Sequence, residues 1–292
     1  MPHRIGRPLP HPFALACALA LGACSSPAPR TPPALAATWE RGAADGRFES
    51  AFSAAEYFEV RNDPRALDLY TRAAAAQPWT FQNTRAEAAL GRIWSEGTLR
   101  HGTAPDVVTA PPIRASWRRG ERWYLAAAQH GNPYAFADLA QTYRQRGDAA
   151  QALRWDLRQM VYKRLPSRSS GLPAALATQD GTPHPQLVRL QRRAARGDAD
   201  AQVDLGAALE RGVGLPRDPA RALQLYQQAG EHGHVFGQYF AGLLLGRGAP
   251  GVPRDRDAAA AWFARAEAQR FYMAAPSYWQ RAVEPPMFNF SE

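Results

Sequence analysis

Over residues 197–231 apolar side chains fall at helical intervals twice, with a break between the two runs. Ala201, Leu205 and Leu209 recur every four residues and mark one face of a helix. Gly212, Gly214 and Pro216 end it. Asp218 then predicts a cap, with Pro219 at the favoured first helical position. Ala222, Leu225, Tyr226 and Ala229 form the apolar face of that second helix, and Gly206 lets the two helices approach closely. The same pattern returns at once. Gly197/Gly233, Gln202/Gln238, Gly206/Gly242, Gly212/Gly248, Asp218/Asp255 and Tyr226/Phe263 align, at an offset of 36 residues that becomes 37 after one insertion in the loop. A two-helix unit buries too little apolar surface alone, so neighbours must stack.

Weaker copies lie upstream. Asp63-Pro64-Arg65-Ala66-Leu67-Asp68-Leu69-Tyr70 mirrors the second helix that begins at Asp218. Ala86-x-x-x-Leu90-Gly91, ending at Gly97, reads as a first helix, and Arg119 to Gly131 as its partner. Gly131 to Met160 forms a unit without the long loop. The succession Ala-x-x-x-Leu-Gly, Gly-x-Gly-x-x-x-Asp and Ala-Leu-x-x-Tyr resembles the Sel-one-like repeat, a relative of the tetratricopeptide repeat. The resemblance implies an all-α, right-handed solenoid of about five antiparallel helix pairs. The expected organisation is divergent repeats over 39–162 with an insertion near 98–116, a Pro- and Ser-rich linker over 163–186, two well-formed repeats over 187–275 led by one basic helix, and an aromatic tail over 276–292 that either caps the last repeat or docks a partner.

The N-terminus reads as an address. Arg4 and Arg7 precede the apolar stretch Phe13 to Leu21, which is too short to span a bilayer. Leu21-Gly22-Ala23-Cys24 resembles the bacterial lipobox. That resemblance implies a signal peptide over 1–23, cleavage between Ala23 and Cys24, lipid on the Cys24 thiol and a Pro-rich tether over 24–38. Acyl chains contribute about 0.8 kcal/mol per buried methylene, which anchors a chain without any spanning helix. Ser25 stands where a retention signal would place Asp, so the resemblance points to the outer membrane, facing the periplasm.

Composition narrows the chemistry. The chain has 292 residues, 46% hydrophobic and 21% charged, enough for a substantial core. Its formal charge of +9 falls by the two signal arginines to 9 − 2 = +7. Cys17 and Cys24 are the only cysteines, and Cys17 lies in the signal, so the mature chain has no internal disulfide and no multi-cysteine zinc site. Gly246-Arg247-Gly248-Ala249-Pro250-Gly251 spells a dinucleotide fingerprint, but a helix rather than a strand precedes it, and the repeat loop explains its glycines. Asp63, Asp148, Asp218 and Asp255 all stand at second-helix starts, where capping explains them. No catalytic residue, metal site or cofactor site is expected.

The tetratricopeptide-like form implies a concave groove lined by first-helix residues. Carried onto this chain, its positions include Arg85, Arg92, Tyr134, Gln141, Arg144, Arg211, Phe236, Tyr239 and Arg247. Arginine forks bind carboxylates and phosphates, and aromatics supply flat contact area. These features suit an acidic peptide or an anionic polysaccharide. The export address argues against nucleic acid. The expected function is a membrane-anchored scaffold that binds other envelope proteins in envelope assembly, secretion or polysaccharide export. The alternative is a cell-wall-active or β-lactam-hydrolysing periplasmic enzyme. The Sel-one-like proteins described that way are cysteine-rich, and the repeats here hold no cysteine.

Overall fold

The computed structural model describes residues 33–77, 79–99, 112–163, 176, 182 and 184–283. The expected signal peptide and Cys24 lie outside the described residues, as does most of the tether, the insertion and the linker. Among the described residues there are thirteen α-helices and no β-strand. In chain order they are α1 (Pro33–Ala44), α2 (Phe48–Glu59), α3 (Arg65–Ala75), α4 (Phe81–Glu96), α5 (Trp117–Gln129), α6 (Pro133–Gln145), α7 (Ala149–Lys163), α8 (Pro185–Ala195), α9 (Ala199–Arg211), α10 (Pro219–Glu231), α11 (Val235–Arg247), α12 (Arg256–Ala268) and α13 (Pro276–Val283), with a 3₁₀ turn at Tyr272–Ala274.

Local chemistry explains the boundaries. Asp148, Asp198, Asp218 and Asp255 each accept a backbone N–H from three residues on, at 2.9–3.0 Å, and so start α7, α9, α10 and α12. Gly212 ends α9 in the left-handed region, with φ 68°, where a side chain would be strained. In three of the helix pairs one aromatic ring lies over one glycine. A Cβ on Gly91 would stand 2.6 Å from the Tyr124 ring, and one on Gly206 would stand 2.6 Å from the Tyr226 ring. Phe263 covers Gly242 in the same way. This is the close approach expected of Gly206, repeated in three units.

Successive helices pack as antiparallel pairs, α2/α3, α4/α5, α6/α7, α9/α10 and α11/α12, the arrangement of an α solenoid. α7 also packs on α9, so the stack continues past residues 163–186. One buried cluster joins Phe52, Phe58, Tyr70, Leu90 and Ile93. A larger one runs from Tyr124 to Val283 through Phe136, Leu157, Tyr226 and Phe271. The chain then closes on itself. Phe81 of α4 stacks on Tyr272 at 5.3 Å, and the Tyr272 N–H donates to the His130 carbonyl at 3.0 Å. Phe136 of α6 meets Phe236 of α11 at 5.7 Å.

Two boundaries differ from expectation. α1 begins at Pro33, inside the stretch expected as tether, because proline suits a first helical turn. α8 begins at Pro185, two residues before the expected leading helix, with His184 as its cap. In the tail, Trp279 stacks on Phe263 at 4.9 Å, so α13 covers the last repeat, while residues 284–292 lie outside the described residues.

Candidate functional site

Helices α2, α3, α4 and α6 enclose a cavity of about 370 Å³ whose lining includes Phe52, Glu56, Arg85, Arg92, Tyr134 and Asp138. Arg85 lies over the Phe52 ring at 4.6 Å and donates to Glu56 at 3.0 Å and to Gln82 at 2.9 Å. Burial pushes the Glu56 carboxyl above its ordinary value, against the charge of Arg85. At the floor, Arg92 pairs with Glu59, which also accepts from the Tyr70 hydroxyl at 2.6 Å. Tyr134 is 63% exposed at this cavity, although residues of its size are usually packed. The start of α6 places it there: Asn132 caps the helix by accepting from the Tyr134 N–H at 2.9 Å, and its own amide donates to the Thr84 carbonyl at 2.9 Å.

A second cavity, of about 580 Å³, is lined by His130, Arg154, Trp155, Arg158, Asp200, His234 and Phe236 among others. Arg158 is 2% exposed and lies between the Trp155 and Phe236 rings at 4.9 and 4.6 Å. It donates to Asp204 at 2.9 Å and to Asp200 at 2.7 Å. Arg154 donates to Asp204 at 3.0 Å, and His234 meets Asp200 at 3.1 Å. The His234 hydrogen bond, followed by Arg158 and Arg154, holds the Asp200 carboxyl well below the usual carboxylate range. Across the cavity, His130 Nδ1 lies 2.9 Å from Glu87, whose carboxyl burial pushes up. The network ties α7 to α9 and α11 with satisfied charges on both sides.

A third cavity, of about 320 Å³, lies at the loop ends of α9 and α11, lined by Glu210, Arg211, Arg217, Arg247, Arg254 and Val283 among others.

A family model described as Sel1 repeat matches residues 55–78, 118–132, 199–234 and 235–270. The chain carries Sel1 repeats. Two solved structures are similar to it. One is the protective antigen c5321 of uropathogenic Escherichia coli, described as displaying an SLR fold; it is 21% identical over 79% of this chain and 56% of its own, with a TM-score of 0.30. The chain therefore spans 56% of that antigen's length. The other is a Sel1 repeat protein from Oxalobacter formigenes, 18% identical over 87% of this chain and 98% of its own, with a TM-score of 0.31. Among curated proteins, none matches the chain. Sel1 repeats generally mediate protein–protein interaction and are mostly non-catalytic.

The Sel1 superhelix divides the expected groove. Arg85, Arg92 and Tyr134 meet at the first cavity, while Arg211 and Arg247 meet at the third. Gln141 is exposed and belongs to neither lining. Arg144 is exposed on α6 and paired with Asp156 at 2.6 Å. Three expectations are corrected. Phe236 and Tyr239 are 2% and 1% exposed, because α11 is enclosed by α6, α7, α10 and α12 and its rings fill the core. Arg92, at 6%, is a buried partner of Glu59 rather than a groove surface. The residues passed over are Arg154, Arg158 and Asp204. Their signal was present: two arginines four apart on α7 face two aspartates four apart on α9.

Proposed function

We propose that this chain is a lipid-anchored adaptor of the bacterial cell envelope, held at the outer membrane through Cys24, facing the periplasm, and binding another envelope protein at the Tyr134 cavity. The observation that carries the binding half is Tyr134 itself, 63% exposed beside a cavity whose floor is fixed by the Arg92–Glu59 pair. A large rigid ring with a polar tip is a favourable interface anchor, since it loses little side-chain freedom on binding. Arg85 stands beside it, half-exposed, and can exchange Glu56 for a partner's carboxylate at little cost, because the pair is close to solvent. The anchoring half is supported by Leu21-Gly22-Ala23-Cys24 and the short apolar stretch before it. The partner favoured by this surface is a protein segment that presents an apolar side chain next to an acidic one.

The test is crosslinking in intact cells, affinity purification from membranes and mass spectrometry, with wild type beside Cys24→Ala. Specific envelope proteins recovered with wild type and lost with Cys24→Ala are expected. A chain that fractionates identically whichever residue stands at 24, or that brings down the same proteins without its anchor, would overturn the anchoring half. Recovery that does not change on Tyr134→Ala would overturn the binding half.

A further inference from the structure

α8 and its C-cap Arg196 carry four arginines and no carboxylate. The helix packs on α9, and its buried face is Leu187, Leu190 and Ala194. Arg192, Arg193 and Arg196 stand three, four and seven residues beyond Arg189, so the four form one stripe about 10 Å long, on a face turned away from the buried one. All four are exposed. Arg193 pairs with Asp198 at 2.7 Å, while Arg189, Arg192 and Arg196 have no ion pair among the described residues. The count along the stripe is therefore 4 − 1 = +3. The partial charge of a helix C-terminus offsets only about half of one cation, so most of this excess remains.

A cleft lies beside the stripe. α7 and α8 both pack on α9, and between them is a cavity of about 180 Å³ whose lining includes Ala150, Leu153, Leu157, Arg189, Leu190 and Arg193. The three leucines are buried and make an apolar floor, and the two arginines are exposed at the rim. The carboxylate in the lining, Asp204, is already taken up by Arg154 at 3.0 Å and Arg158 at 2.9 Å. A cavity of about 150 Å³ is enough for a benzene ring, so this one admits a single apolar side chain. The stripe calls for an anionic partner, and the recess decides which kind. A bilayer takes up apolar groups that protrude from a protein, whereas these leucines lie below the arginines. A protein segment can lower one apolar side chain into the cleft while its carboxylates meet the arginine forks. α7 and α8 lie outside every stretch that matches the Sel1 repeat model, so this surface is not part of the repeat unit.

We propose that the cleft between α7 and α8 docks an acidic protein segment, with one apolar side chain against Leu153, Leu157 and Leu190 and carboxylates on Arg189, Arg192 and Arg196. This surface is separate from the Tyr134 cavity and does not depend on the anchor at Cys24. Purified full chain is titrated, by fluorescence anisotropy, with a labelled peptide of glutamates and alanines that carries one central leucine. The same peptide with alanine in place of the leucine is the control, and flotation with phosphatidylglycerol vesicles runs beside both. The leucine peptide should bind about tenfold or more tighter than its control, the effect of burying one such side chain, and added salt should weaken both. Arg189→Gln/Arg192→Gln should weaken binding by about fivefold or more, with no change in melting midpoint, since both side chains are exposed and unpaired. Ala150→Trp fills the cleft from an exposed position. It should abolish the preference for leucine and leave the control peptide's affinity unchanged, a pattern that misfolding would not produce.

The proposal falls if neither peptide binds, or if the two bind alike. It also falls if the arginine variant binds as wild type does, or if Ala150→Trp keeps the preference for leucine. Binding lost on Tyr134→Ala but kept in Arg189→Gln/Arg192→Gln would assign the peptide to the Tyr134 cavity. Flotation with phosphatidylglycerol in the absence of peptide binding would assign the stripe to a membrane surface. Either result overturns the proposal.

Discussion

Asp204 is the point at which the two halves of the stack are most exposed to a single change. Its side chain is 4% exposed and accepts from Arg158 at 2.9 Å and from Arg154 at 3.0 Å. Removing one partner of a buried ion pair costs about 3–5 kcal/mol, because the other charge stays buried. Asp204→Asn keeps the volume and one acceptor oxygen, and a neutral hydrogen bond returns about 1 kcal/mol. The expected loss is therefore about 2–4 kcal/mol. At about 2–4 °C per kcal/mol for a domain of this size, the thermal midpoint should fall by about 4–16 °C. Circular dichroism melting reads the midpoint, and amide exchange should rise first in α7 and α9, which the network joins. A second variant separates charge from packing. Arg158→Met/Asp204→Leu replaces the pair with apolar groups of similar size, and it should be less destabilised than Asp204→Asn alone. A loss below about 1 kcal/mol in Asp204→Asn, or a double variant equal to the sum of its singles, would refute the argument.

Three other outcomes are expected. Asp200 has a depressed carboxyl pKa in the folded chain, so the native state binds fewer protons than the unfolded one as pH falls below about 4. Its stabilisation is complete above that value and is lost as pH falls towards the depressed one. Asp200→Asn should therefore be less stable than wild type at neutral pH, with the gap closing below about pH 4 in denaturation midpoints. Gly206→Ala gains about 1 kcal/mol of helix propensity but forces the Tyr226 ring from a position 2.6 Å away, an overpacking cost of about 1–3 kcal/mol. Melting should show a net loss, and a raised midpoint would contradict the packing. Phe81→Ala removes the stack on Tyr272, worth about 0.5–1.5 kcal/mol beyond its area. The Tyr272 amide, bonded to the His130 carbonyl, should then exchange faster while α10 is unchanged.

The helix pairs were legible because their punctuation is local. An aspartate that caps, a proline that follows it and a glycine that must turn left-handed each act within a few residues, so Asp218, Pro219 and Gly212 could be read directly. The partner surface was legible only in pieces. A groove carried over repeat by repeat assumes an open curve, whereas here α11 is covered by its neighbours α10 and α12 and by the rings of Phe136 and Trp155 from α6 and α7. Its own sequence held the warning. Val235–Arg247 is apolar around its whole circumference, the mark of a helix buried on every face, and this places Phe236 and Tyr239 in the core. Arg92 was misread for a related reason. Its guanidinium looks like surface in sequence, but Glu59, thirty-three residues earlier, neutralises it inside. The pairing of Arg154 and Arg158 with Asp200 and Asp204 joins segments more than forty residues apart, so only the matched spacing on two helices hinted at it.

The most direct test of the adaptor account is site-specific photo-crosslinking in intact cells, with the photoreactive residue at position 134. The same reporter at Leu35, 41% exposed on α1, serves as the control for surface contact alone. The account predicts one discrete adduct from position 134 to an envelope protein, absent from position 35 and weakened by Arg85→Ala. Position 134 yielding no more adduct than position 35 would contradict it.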